Sequence, residues 1–167
     1  VYVSNTSAVD NIKVEAIKHG IESSRVIFAI RLPQDEHLAR YSMADLFLDT
    51  FPCNGGSTVV DALWAGLPVL TLMGESFASR VAASSLEAIH LPELITHSQE
   101  EYEALAVDLA MNPKRLADIK MKLASNRLIT PLFDTPGLTK HLEAAYTQMM
   151  ERYWNDSLPE HINIEVQ

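Results

Sequence analysis

The sequence predicts an α/β domain in which a parallel sheet is flanked by helices and followed by further helices towards the C-terminal end. Three observations carry that reading. Short apolar runs alternate with helical patterns, glycine and proline punctuate the junctions, and neither an internal repeat nor a low-complexity tract breaks the rhythm. With 167 residues and 47% hydrophobic content, the chain can build one domain with a real core but not two full ones. The expected organisation is a single lobe over residues 1–155 and a loose tail over 156–167, since periodicity fades after Trp154.

Taken in order, Val1 to Val3 reads as the stub of a strand. Val9, Ile12, Val14, Ala16 and Ile17 form a helical stripe that ends at Gly20, a natural helix-closing residue. Arg25 to Ile30 reads as a buried strand. After Pro33, the run Gln34 to Tyr41 opens with Asp35 and Glu36, the charge that suits the positive end of a helix. Asp45 to Asp49 is a second strand, Thr50 to Gly56 a loop, Ser57 to Gly66 a helix closed by glycine, and Pro68 to Leu72 a third strand. Ser98-Gln99-Glu100-Glu101 has the spacing of a capping box, ahead of the apolar face Tyr102, Leu105, Ala106 and Leu109. Asn112-Pro113 should cap the next helix, whose inner face is Leu116, Ile119 and Leu123. Leu138, Leu142, Ala145, Tyr146, Met149 and Tyr153 recur at helical spacing, and core packing is the expected use of that stripe.

Composition narrows the function. A formal charge of −9 sets the chain's field against a phosphate backbone and an anionic membrane, so nucleic acid is not an expected partner. Lys114, Arg115, Lys120 and Lys122 lie among helix formers and read as a solvated face. No apolar run approaches the ~20 residues of a membrane span, and Val1-Tyr2-Val3-Ser4-Asn5 lacks the features of a signal peptide. The single cysteine, Cys53, precludes an internal disulfide and suits a reducing cytoplasm. His19, His90, His97, His141 and His161 have no metal-ligand spacing, so no metal and no resident cofactor are expected. The missing initiator Met suggests a piece of something larger.

The informative segment is the glycine loop between the strand ending at Asp49 and the helix near Ser57. Loops at the carboxyl ends of parallel strands are where such sheets bind ligands. Gly55 and Gly56 allow close backbone approach, the amino end of the helix favours an anion such as phosphate, and Ser57 and Thr58 add hydroxyls there. The same residues also suit a mere tight connection. Neither a Walker loop nor a dinucleotide fingerprint is present. Asp49 could instead be the phosphoacceptor of a receiver domain, but the acidic pair and late lysine of such a site are missing. Asp61 stands at capping-box spacing from Thr58, which gives it a structural alternative. Glu75 and Arg80 either face the cleft or pair to hold their loop.

A resemblance goes further. Asp45 to Thr50, Cys53-Asn54-Gly55, Asp61 to Gly66 and Gly74 to Ser84, followed by Glu101-Tyr102 and Pro131 to Thr135, resemble in order and spacing the donor lobe of the O-linked N-acetylglucosamine transferase family. The likeness covers roughly residues 8 to 155 and is of a bacterial type. It implies the Rossmann-like second lobe of a GT-B glycosyltransferase, binding a UDP-sugar such as UDP-N-acetylglucosamine for transfer to protein Ser/Thr hydroxyls. It also implies that catalytic residues, a first lobe and an array of tetratricopeptide repeats lie outside this chain.

Position by position, His37 falls on the residue against the uracil ring and Arg40 on the one whose backbone reads the base edge. Ser57 and Thr58 fall on the diphosphate pair, Asp61 on the ribose carboxylate, and Cys53, Asn54, Gly55 and Gly56 on the sugar-side loop. Without the resemblance, His37 reads as a surface residue, and Cys53 as a small buried hydrophobe rather than a nucleophile. Two positions depart from the family: Gln34 stands where relatives have a ribose-side lysine, and Gly56 where they have a histidine. Transfer to asparagine or a glycan, and a lobe retained as a scaffold, remain open alternatives. An uncovered sheet edge would favour self-association.

Overall fold

A computed structural model describes residues 5–164, which divide into two compact units, one ending at Arg40 and the other starting at Tyr41. The strand expected at Val1 to Val3 lies outside the described residues.

In the first unit, α1 (Thr6–Lys18) starts at Asn5, whose Oδ1 accepts the Ala8 amide at 2.7 Å. Gly20 follows at φ +73°, a conformation that needs no Cβ. Among the described residues, the strand expected over Arg25 to Ile30 does not form a ladder. A 3-10 turn occupies Ser23–Arg25, Ala29 alone makes a bridge, and Ile27 and Ile30 are 78% and 72% exposed. An apolar run becomes a buried strand only when neighbours cover both its faces, and the described residues of this unit supply no such layer. After Pro33, α2 (Gln34–Arg40) places Asp35 and Glu36 in its first turn as expected. Among the described residues of this unit, none is fully buried.

The second unit contains the core. Its sheet has the order β1 (Phe47–Leu48), β2 (Val69–Leu72), β3 (Ile95–Thr96), with both pairings parallel: Phe47 is opposite Val69, and Thr71 opposite Ile95. Between the strands run α3 (Ser57–Trp64) and α4 (Val81–Ala88); α5 (Gln99–Met111) and α6 (Pro113–Asn126) follow, and α3, α4 and α5 all pack on β2. Val59, Ala62 and Leu63 from α3, Val69 from β2, Leu86 from α4, Leu109 from α5 and Leu123 from α6 form one cluster with Ile89, Leu91 and Leu94. Gly66, at φ +87°, turns the chain from α3 back towards β2.

Several local expectations are met and others corrected. Ser98 Oγ accepts the Glu101 amide at 3.1 Å while Glu101 Oε2 accepts the His97 amide at 2.9 Å, closing the box at the start of α5. Asn112 takes the N-cap position of α6 with Pro113 in the first turn, as expected, but its side chain makes no capping bond there. Its Nδ2 turns back to the carbonyl and carboxylate of Asp108 and so closes α5 instead. The core role expected for the C-terminal stripe is also wrong: on α7 (Thr135–Trp154), Leu138, Leu142, Tyr146, Met149 and Tyr153 are 46–75% exposed. Periodicity shows which residues share a face, not whether another element covers it. Beyond α7 no regular element follows among the described residues, although Arg152 bonds the Leu158 carbonyl and Glu160.

Candidate functional site

The carboxyl edge of the sheet is built around Asp49. The residue follows β1, extends the ladder by donating its N–H to the Leu70 carbonyl (3.0 Å), and is 3% exposed. Its side chain turns inwards. Oδ1 accepts the Gly55 amide at 2.7 Å and Oδ2 the Thr71 hydroxyl at 2.7 Å. A carboxylate so engaged is not presented to solvent as a phosphoacceptor. Tyr102, reaching from α5, donates its hydroxyl to the Asp49 carbonyl at 2.9 Å. Burial and then the charge of Asp49 push that phenol up to about 12.

Asn54 ties the neighbouring loops together. Its Nδ2 donates to the carbonyls of Thr50 (2.9 Å) and Leu72 (3.4 Å), and its amide to that of Ala78 (2.9 Å). Two carbonyls on one side of the amide leave only the nitrogen able to face them, so Oδ1 points away, buried and without a partner. Cys53, beside it, is exposed rather than a buried hydrophobe, with Sγ 3.9 Å from the Asn54 carbonyl.

From Gly55 the chain enters α3. A Cβ on Gly55 would lie 2.6 Å from Thr58 Oγ1, so a side chain at this position would have to displace Thr58. One on Gly56 would meet nothing within 4 Å, so the fold itself tolerates a side chain there. Gly56 is the N-cap and has no side chain to bond the first turn. Val59 and Val60 donate to the Gly56 carbonyl, whereas the amides of Gly56, Ser57 and Thr58 have no acceptor among the described residues. All three residues are exposed. Unpaired amides at the positive end of a helix, flanked by two hydroxyls, can receive an anion. One turn on, half-buried Asp61 makes no capping bond, and its carboxylate has no hydrogen-bond donor among the described residues. The cap alternative therefore lacks its contact.

The remaining assigned residues belong to the first unit. Arg40 Nη2 lies 2.6 Å from His37 Nδ1, and Nη1 donates to the Ile30 carbonyl at 2.9 Å. Because a guanidinium only donates, His37 Nδ1 is the acceptor, which leaves the proton of a neutral ring on Nε2. Gln34 is exposed at the first position of α2. Glu75 and Arg80 form no ion pair with each other, and both are exposed. Arg80 instead lines an open cleft of about 920 Å³ with Met73, Phe77, Ser84, Glu87 and His97, none of them an assigned site residue. No group of three acidic, His or Cys residues is placed to hold a metal among the described residues. Nor is any helix among them long and apolar enough to cross a membrane.

Sequence reasoning missed the structural part of Asp49 and the stitching by Asn54. The available signal was an acidic residue at a strand end six positions before the glycine it would hold.

Comparison with known proteins agrees with this architecture. The family model described as Glycosyl transferase family 41 matches residues 5–142. The chain is 39% identical over 150 residues to a probable UDP-N-acetylglucosamine–peptide N-acetylglucosaminyltransferase of Arabidopsis thaliana, covering 89% of this chain and 15% of that protein. It is 36% identical over 153 residues to the UDP-N-acetylglucosamine–peptide N-acetylglucosaminyltransferase of Caenorhabditis elegans, covering 92% and 13%. Among solved structures, an O-GlcNAc transferase mutant from Thermobaculum terrenum superposes with a TM-score of 0.80 at 31% identity, over 87% of this chain and 28% of that one. The chain thus spans about a seventh of the length of these curated relatives.

Proposed function

The chain belongs to glycosyl transferase family 41, and we propose that it is the part of a protein O-glycosyltransferase that holds the UDP-sugar donor. The carrying observation is the set of acceptor-free amides at Gly56, Ser57 and Thr58, on the loop that leaves the sheet beside Asp49. In the transfer, negative charge gathers on the departing diphosphate. Preorganised amides and hydroxyls stabilise it without having to reorganise. Ser57 and Thr58 take the diphosphate and Asp61 receives the ribose hydroxyls; His37, Arg40 and Gln34 keep the uridine-side roles given by resemblance, and Cys53 to Gly56 the sugar side. The sugar is N-acetylglucosamine and the acceptor a protein hydroxyl, as the names of the relatives suggest. The complete protein, a bacterial-type member, adds a first lobe with the catalytic residues and a tetratricopeptide array, works in the cytoplasm, and needs no further cofactor. Self-association through a sheet edge is part of the same proposal.

Calorimetric titration with UDP, UDP-N-acetylglucosamine and GDP tests the reading, run beside Asp61→Ala with UDP and 2′-deoxy-UDP. UDP should bind in preference to GDP. Removing Asp61 should weaken UDP by about 1.5–3 kcal/mol, the range for bonds to a charged acceptor, and weaken 2′-deoxy-UDP less. Equal losses for both ligands, with a lower melting temperature, would return Asp61 to a structural role. Indifference of the wild-type chain to every UDP ligand would remove the donor reading.

A further inference from the structure

Asp49 is a buried carboxylate with no basic side chain paired to it among the described residues. Burying such a charge is costly, and an uncharged polar residue could also accept a hydrogen bond at a strand end. What the carboxylate adds is a second acceptor directed elsewhere. Oδ2 is held by Thr71 on the central strand β2, and the Thr71 carbonyl in turn accepts the hydroxyl of Thr96 on β3 at 2.8 Å. Oδ1 holds the Gly55 amide, one residue before the N-cap of α3. The Tyr102 hydroxyl fixes the Asp49 backbone from a third element. Asp49 thus joins the most buried strand to the loop that aims the amides of Gly56, Ser57 and Thr58. Gly55 directly precedes Gly56, the N-cap of α3, and a Cβ built on it would lie 2.6 Å from Thr58 Oγ1, so the residue that Asp49 holds borders the first turn of α3.

We infer that Asp49 is a positioning residue for the donor, setting the direction of the three free amides at the start of α3 without touching the ligand. The inference rests on the donor reading above. Electrostatics makes its test a matter of sign. A carboxylate beside an anion site repels the anion, so deleting its charge alone should tighten binding. Loss of positioning should weaken it, because misplacement of the order of 1 Å in a preorganised site costs up to about 100-fold.

The experiment compares UDP affinity, melting temperature and amide hydrogen exchange for the wild-type chain, Asp49→Ala and Thr96→Val. Thr96→Val removes the next hydrogen bond of the same buried chain but leaves the loop tethered. Asp49→Ala should bind UDP about 10- to 100-fold more weakly, with faster exchange at Gly55, Ser57 and Thr58. Thr96→Val should lower the melting temperature while leaving affinity within about twofold, a change of less than half a decade. Unchanged or tighter UDP binding by Asp49→Ala would overturn the inference, as would an equal affinity loss in Thr96→Val. Should Asp49→Ala fail to fold, Asp49→Asn keeps the shape, removes the charge and leaves one carbonyl for two donors. Weaker binding then supports positioning, and unchanged or tighter binding refutes it. If the wild-type chain does not bind UDP, the donor reading fails, while Gly55 exchange in Asp49→Asn still decides whether the carboxylate holds the loop.

Discussion

Asp49 and Tyr102 are separated by 53 positions in sequence and joined by one hydrogen bond, from the phenol to the backbone carbonyl. Tyr102 also makes an edge-on contact with Phe51, at 5.7 Å between ring centroids, so it braces both ends of the strand exit. Its raised pKa, about 12 against the usual ~10, fixes a pH dependence. Below pH ~10 the folded and unfolded chains both keep the proton, and the stabilisation is fully present. Between ~10 and about 12 only the unfolded chain ionises, so stability falls as pH rises. Tyr102→Phe should cost about 0.5–1.5 kcal/mol at pH 8 by losing the bond, yet lose less than wild type on going to pH 11. Urea unfolding at the two pH values measures this, and parallel losses in both proteins would show that Tyr102 does not govern the alkaline limb. The placement of Ser57, Thr58 and Asp61 on one helix was legible because they are close in sequence and follow a glycine pair. The Asp49 network was not, since its partners Gly55, Thr71 and Tyr102 come from three elements and only the fold brings them together.

At the scale of elements, α3 bears the proposed site at one end and needs anchoring at the other. Arg127, just after α6, donates through Nη1 to the Trp64 carbonyl at 2.5 Å, and its guanidinium lies 5.4 Å from the Trp64 ring centroid. A cation at the carboxyl end of a helix satisfies an orphan carbonyl and opposes the dipole. The preceding residue, Asn126, satisfies a carbonyl at the end of α4 by donating Nδ2 to Ile89 at 2.9 Å, though without a charge. Trp64 in turn meets Phe133 edge-on at 5.0 Å. Arg127→Ala should therefore destabilise the fold by about 1.5–3 kcal/mol, the range for a bond from a charged donor. Arg127→Lys should recover only part, because a point charge lacks the planar face that covers Trp64. An unchanged urea midpoint in Arg127→Ala would show that α3 is held by its buried face alone. Elements closed by glycine, α1 and α3, and the capped α5 were readable because their ends carry specific chemistry. α4 and β3 were not recognised: β3 has two residues, and α4 interleaves Ser84 and Ser85 with its apolar positions, which blurs the period. The run from Arg25 to Ile30 misled in the opposite direction, since composition records apolarity but not the neighbour that would cover it.

At the scale of the whole chain, apolar burial is concentrated in one unit. Every member of the main core cluster, and every partly buried residue packed on it, lies at Tyr41 or later. In the first unit no described residue is fully buried, and Ile12, Val14, Ile17, Ile21, Ile27 and Ile30 are exposed. α1 has 13 residues, a length at which an isolated helix is marginal in water, and chains of about 40 residues rarely bury enough surface to fold without a staple. The second unit has a parallel sheet, four helices packed around a continuous core, and the buried Asp49 network. A chain of residues 41–167 should therefore melt cooperatively and keep dispersed amide signals, including a protected Gly55. A peptide of residues 1–40 should show weak helicity and no cooperative transition. The amides assigned to the diphosphate would then sit on the unit that folds alone, and that unit's stability could be measured without the uridine-side residues His37 and Arg40. Circular dichroism melts and amide spectra of the two pieces decide the matter. Loss of dispersed signals in 41–167, or a cooperative melt in 1–40, would show that the concentration of buried apolar residues in the second unit does not determine which part of the chain can fold.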